Sequence, residues 1–226
     1  MTFNIAKRLI TSLFLITLLG LMFSYSFILI ISLIIISVIS WIEFSFLISK
    51  IYTKNKFKIS LIKLLIKTLS LMYLTLFSSL MFNGITNVEH NFKLNMIYLF
   101  SICICSDVGG LIFGKAFKGK KLTKISPNKT ISGSIGSFIL SLFLVPLFYY
   151  FFTQFNNLFN LIILAIIVSF TCQLGDLFIS YLKRKAKVKD TSDLLPGHGG
   201  LLDRIDGMLF AVPIGIISWK LLIALI

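Results

Sequence analysis

The sequence predicts an all-α protein, a polytopic integral membrane helix bundle of about seven transmembrane helices with its polar site facing the cytoplasm. Three observations carry this expectation. Hydrophobic residues make up 57% of the 226-residue chain and charged residues only 13%, with a mean hydropathy of +0.97. That is more apolar surface than one soluble core of this size buries, so lipid must be the solvent for much of it. The apolar stretches recur at membrane-spanning lengths. Twenty of the 22 Lys and Arg residues then fall on one side of the layout that these stretches define.

The apolar run from Leu9 to Ser49 has 41 residues. As a helix it would be about 60 Å long, twice the hydrocarbon thickness. It therefore reads as two spans with a turn near Ser24-Tyr25-Ser26. Its length and the lack of a small-residue cleavage site argue against a cleaved leader. Further spans are expected at about 61–83, 95–114, 131–152, 158–182 and 206–226. Cations precede the first span (Lys7, Arg8) and surround the junction of the second and third (Lys50, Lys54, Lys56, Lys58, Lys63, Lys67). They also follow the fourth (Lys115 to Lys129) and the sixth (Lys183 to Arg204), leaving only Lys93 and Lys220 on the opposite side. The positive-inside rule makes the lysine-rich side cytoplasmic, with the N-terminus inside and the C-terminus outside. The formal charge of +14 thus sets topology and meets anionic headgroups, and no nucleic-acid partner is expected. Cys103, Cys105 and Cys172 lie in apolar segments without metal-site or disulfide spacing and read as packing residues. The whole chain reads as one membrane domain.

The acids are scarce and unevenly placed. Of eight, Glu43, Glu89 and Asp107 precede the last third, while Asp176, Asp190, Asp193, Asp203 and Asp206 crowd into it. Carboxylates at membrane depth are expensive and face a partner, an ion or a wet cavity. Asp107 and Asp176 both lie near the cytoplasmic ends of their spans, where they could line one cavity; pairing with nearby lysines is the plainer alternative. Asp176, Ser180, Lys183 and Arg184 recur at helical spacing along one face. A carboxylate, a hydroxyl and two cations on one stripe suit metal and phosphate, not lipid. Lys189 and Asp190 follow, then Pro196-Gly197-His198-Gly199-Gly200, whose glycines let backbone N–H groups approach an anion. His198 has either a phosphate or a structural hydrogen bond. Asp203, Arg204 and Asp206 open the last span, and Asp203 and Asp206 at i, i+3 can present oxygens to one divalent ion. Taken singly, Asp203 also fits a helix cap and Asp206 a first-turn acid.

A second polar segment runs from Gly114 to Gly136, with six lysines and then Ser126-Pro127-Asn128-Lys129-Thr130. It reads equally as a turn that starts a helix and as a basic loop feeding phosphates to a helix N-terminus.

These residues carry a resemblance. Ser180-Tyr-Leu-Lys-Arg, Lys189-Asp190 and Leu195-Pro-Gly-His-Gly-Gly-Leu-Leu-Asp-Arg-Ile-Asp206 resemble the signature of the phosphatidate cytidylyltransferase (CDP-diacylglycerol synthase) family. The likeness extends back through Gln173-Leu-Gly-Asp176, covers Asp107 to Gly136 including the Ser126-Pro-x-Lys-Thr130 element, and is weaker at Trp41-Ile-Glu43. Two features depart from the family. Ser132 stands where an acidic residue is usual before a glycine, and the chain has fewer N-terminal spans than its relatives would lead one to expect.

The resemblance implies transfer of the cytidylyl group of CTP to phosphatidate in the inner cell membrane, giving CDP-diacylglycerol and pyrophosphate with Mg²⁺. A second metal, a monovalent cation and a homodimer are left open. Residues 1–94 would then be N-terminal helices and about 95–226 the catalytic region. It implies a catalytic set of Asp176, Lys183, Arg184, Lys189, Asp190, His198, Asp203 and Arg204. Asp107, Ser126, Lys129, Thr130, Ser180, Gly199 and Gly200 would bind substrate, and Asp176, Asp203 and the weaker candidate Asp206 would hold metal. The alternative is a CTP-dependent polyprenol or phytol-type lipid kinase, which would release CDP. Transport is disfavoured because the charge lies near one face, not at mid-depth.

Overall fold

A computed structural model describes residues 2–53, 57–87, 90–123, 126, 129–151, 158–195 and 199–224. His198 and the topology-setting Lys54, Lys56 and Lys124 lie outside the described residues. The described residues form the helices α1 (Thr2–Ser24), α2 (Ser26–Ile51), α3 (Phe57–Thr86), α4 (His90–Phe117), α5 (Ile131–Phe143), α6 (Val145–Phe151), α7 (Leu158–Lys185) and α8 (Leu202–Ala224). The long Leu9–Ser49 run breaks where expected, at the single extended residue Tyr25 (φ −129°, ψ 113°). α5 and α6, separated only at Leu144, together make one apolar stretch, Ile131–Phe151.

Among the described residues six helices are long and apolar enough to cross a membrane, and Leu13–Ser24 of α1 is a shorter apolar helix. The difference from the expected seven is confined to α1, whose first turns carry Asn4, Lys7 and Arg8. The protein is a multi-pass membrane protein. Its apolar surface is correspondingly large: Ile34, Leu64, Leu69 and Met72 are each at least 59% exposed, an arrangement that only lipid makes favourable.

The chain forms two compact units, Met1–Thr86 with Leu182–Ile205, and Asn87–Tyr181 with Asp206–Ile226. In the first unit, α2 lies along α3. The Ser37 and Ser78 hydroxyls are 2.6 Å apart, and Trp41 Nε1 donates to the Lys67 carbonyl at 3.0 Å. The Leu182–Ile205 segment, which carries most of the resemblance signature, clusters with these N-terminal helices.

In the second unit, α4 and α5 are in close backbone contact through Gly109, Gly110, Gly133 and Gly136. Small residues let helix backbones approach and dispersion act where no hydrophobic force operates. Ser137 Oγ donates to the Ser106 carbonyl at 2.6 Å, and Ser106 Oγ lies 3.1 Å from Ser169 Oγ of α7. Tyr98 OH donates to the Leu161 carbonyl at 3.2 Å. A Cβ on Gly109 would sit 2.5 Å from the Gly136 carbonyl oxygen, a backbone atom that cannot step aside. Gly109→Ala is therefore expected to destabilise the α4–α5 pair by about 1–3 kcal/mol, read as a lower unfolding midpoint in detergent. An unchanged midpoint would mean that the two helices separate at little cost.

Candidate active site

Each unit holds one polar cluster. The second unit encloses a cavity of about 280 Å³ lined by Asp107 and Gly110 of α4, Ser126, Lys129 and Thr130 of the following loop, and Gln173 and Asp176 of α7, among others. The local structure of the loop explains this. Thr130 is the N-cap of α5 (φ −114°, ψ 157°), its Oγ1 accepting from Gly133 N at 3.1 Å. Leu122 N donates to the Lys129 carbonyl and Ile131 N to the Lys120 carbonyl, closing a bridge between Lys121 and Thr130. Lys129 is thereby directed at Asp176, with which it forms an ion pair. The Ser180 hydroxyl donates to Asp176 Oδ1 at 3.3 Å, one helical turn on. Ser134 Oγ donates to Gln173 Oε1 at 2.5 Å.

Five residues singled out in the sequence for this chemistry, Asp107, Ser126, Lys129, Thr130 and Asp176, thus line one cavity. Asp176 pairs with the loop lysine, while Cys172 Sγ lies 3.9 Å from Asp107 Oδ1. Ser132, at the position where the family carries an acid, places its hydroxyl 3.0 Å from Thr130 Oγ1.

The first unit holds the other cluster. α7 ends in a Schellman arrangement, with Lys187 N donating to the Arg184 carbonyl, Val188 N donating to the Lys183 carbonyl, and Lys187 in the left-handed region (φ 56°). This last turn carries Lys183, Arg184 and Lys185, where the helix dipole favours cations. Lys183 Nζ meets Asp203 Oδ1 at 2.7 Å, with side-chain exposures of only 13% and 5%. Asp203 Oδ2 accepts from Thr191 N (2.9 Å), Thr191 Oγ1 (3.0 Å) and Gly200 N (3.1 Å). Gly199 is at φ +81°, and a Cβ on Gly200 would overlap Thr191 Oγ1 and lie 2.6 Å from Glu43 Oε2, so both glycines are required by the backbone path. Arg184, Lys189, Asp190 and Arg204 are exposed.

Asp203 and Asp206, both in α8, have different hydrogen-bond partners. Asp203 turns to Lys183 and Thr191 in the first unit, whereas Asp206, in the second, accepts from Gly207 N at 2.8 Å. The Asp206 main chain packs against Gly175, where a Cβ would come within 2.5 Å of its carbonyl oxygen.

Sequence reasoning placed Glu43 only in the weaker Trp41-Ile-Glu43 likeness and gave it no role in the site. It is 4% exposed in the middle of an apolar helix, and four donors converge on its carboxylate from the loop that joins α7 to α8. Its isolation within a span of hydropathy 2.6 was the available signal.

Among the described residues no group of three or more His, Cys, Asp and Glu side chains could hold a metal by itself. Taken by itself, each of Asp176 in the second unit and Asp203 in the first is the kind of carboxylate Mg²⁺ takes, one or two at a time, with water and phosphates completing its shell. Asp176 and Asp203 each present hard oxygens, and each holds an ammonium group, marking both as places where positive charge is favoured.

Residues 2–222 match the model of the cytidylyltransferase family. The chain is 46% identical over 121 residues to a phosphatidate cytidylyltransferase of Staphylococcus haemolyticus (strain JCSC1435), covering 53% of this chain and 46% of that protein. It is 38% identical over 135 residues to a phosphatidate cytidylyltransferase of Rickettsia prowazekii (strain Madrid E), covering 57% and 59% of the two chains. The chain spans about half the length of the curated relatives it matches.

Proposed function

Because this chain belongs to the cytidylyltransferase family, we propose that it transfers the cytidylyl group of CTP to phosphatidate, forming CDP-diacylglycerol and releasing pyrophosphate. The observation that carries the reading is the polar cavity in which Lys129 and Asp176 face each other beside Asp107, Ser126 and Thr130. A phosphate oxygen of phosphatidate attacks the α-phosphorus of CTP, and the bond to the β-phosphate oxygen breaks. The nucleophile is already an anion, so no side chain need remove a proton. The barrier lies in bringing two anions together in line, which charge neutralisation and positioning lower.

The roles of the residues follow from that requirement. Lys129 and the exposed Arg184, Lys189 and Arg204 offset phosphate charge, while Lys183 holds Asp203. Ser126, Thr130 and Ser180 supply hydroxyls, and Gly199 allows backbone approach, while Gly200 N holds Asp203. Asp176 and Asp203 are the proposed Mg²⁺ ligands; when bound, the ion neutralises phosphate charge and stabilises the leaving pyrophosphate. The concentration of Lys and Arg on one side of the spans supports a site at the cytoplasmic face of the inner membrane.

The test separates this reading from a CTP-dependent lipid kinase. With CTP labelled at the α-phosphate, phosphatidate, a polyprenol and Mg²⁺, the purified protein is expected to move label into lipid and release unlabelled pyrophosphate. Label remaining in soluble CDP would overturn the proposal in favour of the kinase.

A further inference from the structure

Glu43 sits on α2, far in sequence from the signature, yet both its oxygens are engaged there. Oε1 accepts from Ser192 Oγ at 2.6 Å and Leu201 N at 3.0 Å, and Oε2 from Thr191 Oγ1 at 2.8 Å and Leu202 N at 2.8 Å. The two backbone donors belong to the start of α8, whose first N–H groups have no partner within the helix. The carboxylate therefore supplies, from another helix, the cap that the α8 sequence does not provide at Leu201. Thr191 is 2% exposed, and its hydroxyl also touches Asp203 Oδ2 at 3.0 Å. One hydroxyl proton is thus shared between two carboxylates, linking Glu43 through Thr191 to Asp203 and on to Lys183. Gly200 packs against the same groups, and a Cβ there would meet Thr191 Oγ1 and both Glu43 oxygens. Among the described residues no cation pairs with Glu43. Its whole hydrogen-bonding capacity goes to the loop and to the helix start.

We propose that Glu43 is a positioning residue for the transfer reaction: it clamps Thr191, Ser192, Leu201 and Leu202 onto α2 and so fixes the Asp203–Lys183 pair. The proposal rests on the function given above for its catalytic part, but not for the clamp itself. Glu43→Gln keeps the size of the side chain but turns one acceptor oxygen into a donor, leaving at least one buried N–H or hydroxyl without its acceptor. Thr191→Val removes the shared hydroxyl alone.

The experiment measures amide hydrogen exchange over residues 191–204, together with kcat and KM for CTP, in wild type, both single variants and the double variant. Expected are exchange at least about tenfold faster, localised to this segment in each single variant, and kcat at least about tenfold lower with KM for CTP changed less than about threefold. The double variant should lose little more than Glu43→Gln alone. Unchanged exchange in a folded Glu43→Gln protein would overturn the clamp. Faster exchange with undiminished kcat would overturn its role in positioning. If Glu43→Gln does not fold, Thr191→Val decides by the same two readouts. Should the wild type transfer no cytidylyl group at all, the functional reading fails, while the exchange data still decide the clamp.

Discussion

Asp176→Asn should reduce Mg²⁺-dependent formation of CDP-lipid in reconstituted membranes by at least about a hundredfold while leaving the protein folded. The substitution keeps the volume and one acceptor oxygen, so Ser180 can still donate to it. What it removes is the negative charge, and with it the ion pair to Lys129 and the affinity for a hard divalent cation. The side chains of Lys129 and Asp176 are 27% and 31% exposed, so losing their pairing should change stability by no more than about 1 kcal/mol. The two effects therefore separate: activity collapses, and the unfolding midpoint in detergent hardly moves. Full activity of the variant would remove Asp176 from the proposed reaction.

Lys183→Met should affect both. The Lys183–Asp203 pair is far less exposed, and without the ammonium group the Asp203 carboxylate is left with only the neutral donors Thr191 and Gly200. Breaking a buried pair from one side strands a charge, so a loss of about 3 kcal/mol in stability is expected, together with loss of transfer activity. Adding Asp203→Asn to Lys183→Met removes the stranded charge and should recover part of the unfolding midpoint but none of the activity. A Lys183→Met protein as stable as wild type would mean that the neutral donors suffice. A double variant that regained activity would exclude both residues from the reaction.

The helix start at Thr130 shows how close local reading comes to the site. Ser126-Pro-Asn-Lys-Thr130 is equally compatible with a helix-starting turn and with a phosphate-binding loop, and at Thr130 the structure shows a helix start without excluding the second. Thr130 caps α5 with the same hydroxyl that borders the cavity. By contrast, the i, i+3 spacing of Asp203 and Asp206 did not announce their separate hydrogen-bond donors: Thr191 and Gly200 donate to the first carboxylate and Gly207 N to the second.

What the sequence by itself determined was governed by transfer between water and lipid: six of the seven expected spans, the break at Tyr25, and the segments too polar to be explained by either solvent. Those properties are local, because each residue contributes its own transfer free energy and each helix satisfies its own backbone. Only the tertiary structure decided which partner each scarce acid has. Asp176 takes Lys129 from the loop before α5, Asp203 takes Lys183, and Glu43 takes Thr191 from 148 residues away. Such pairings depend on which helices pack together. Hydropathy marks a buried carboxylate as expensive, but only the packed neighbours make it affordable.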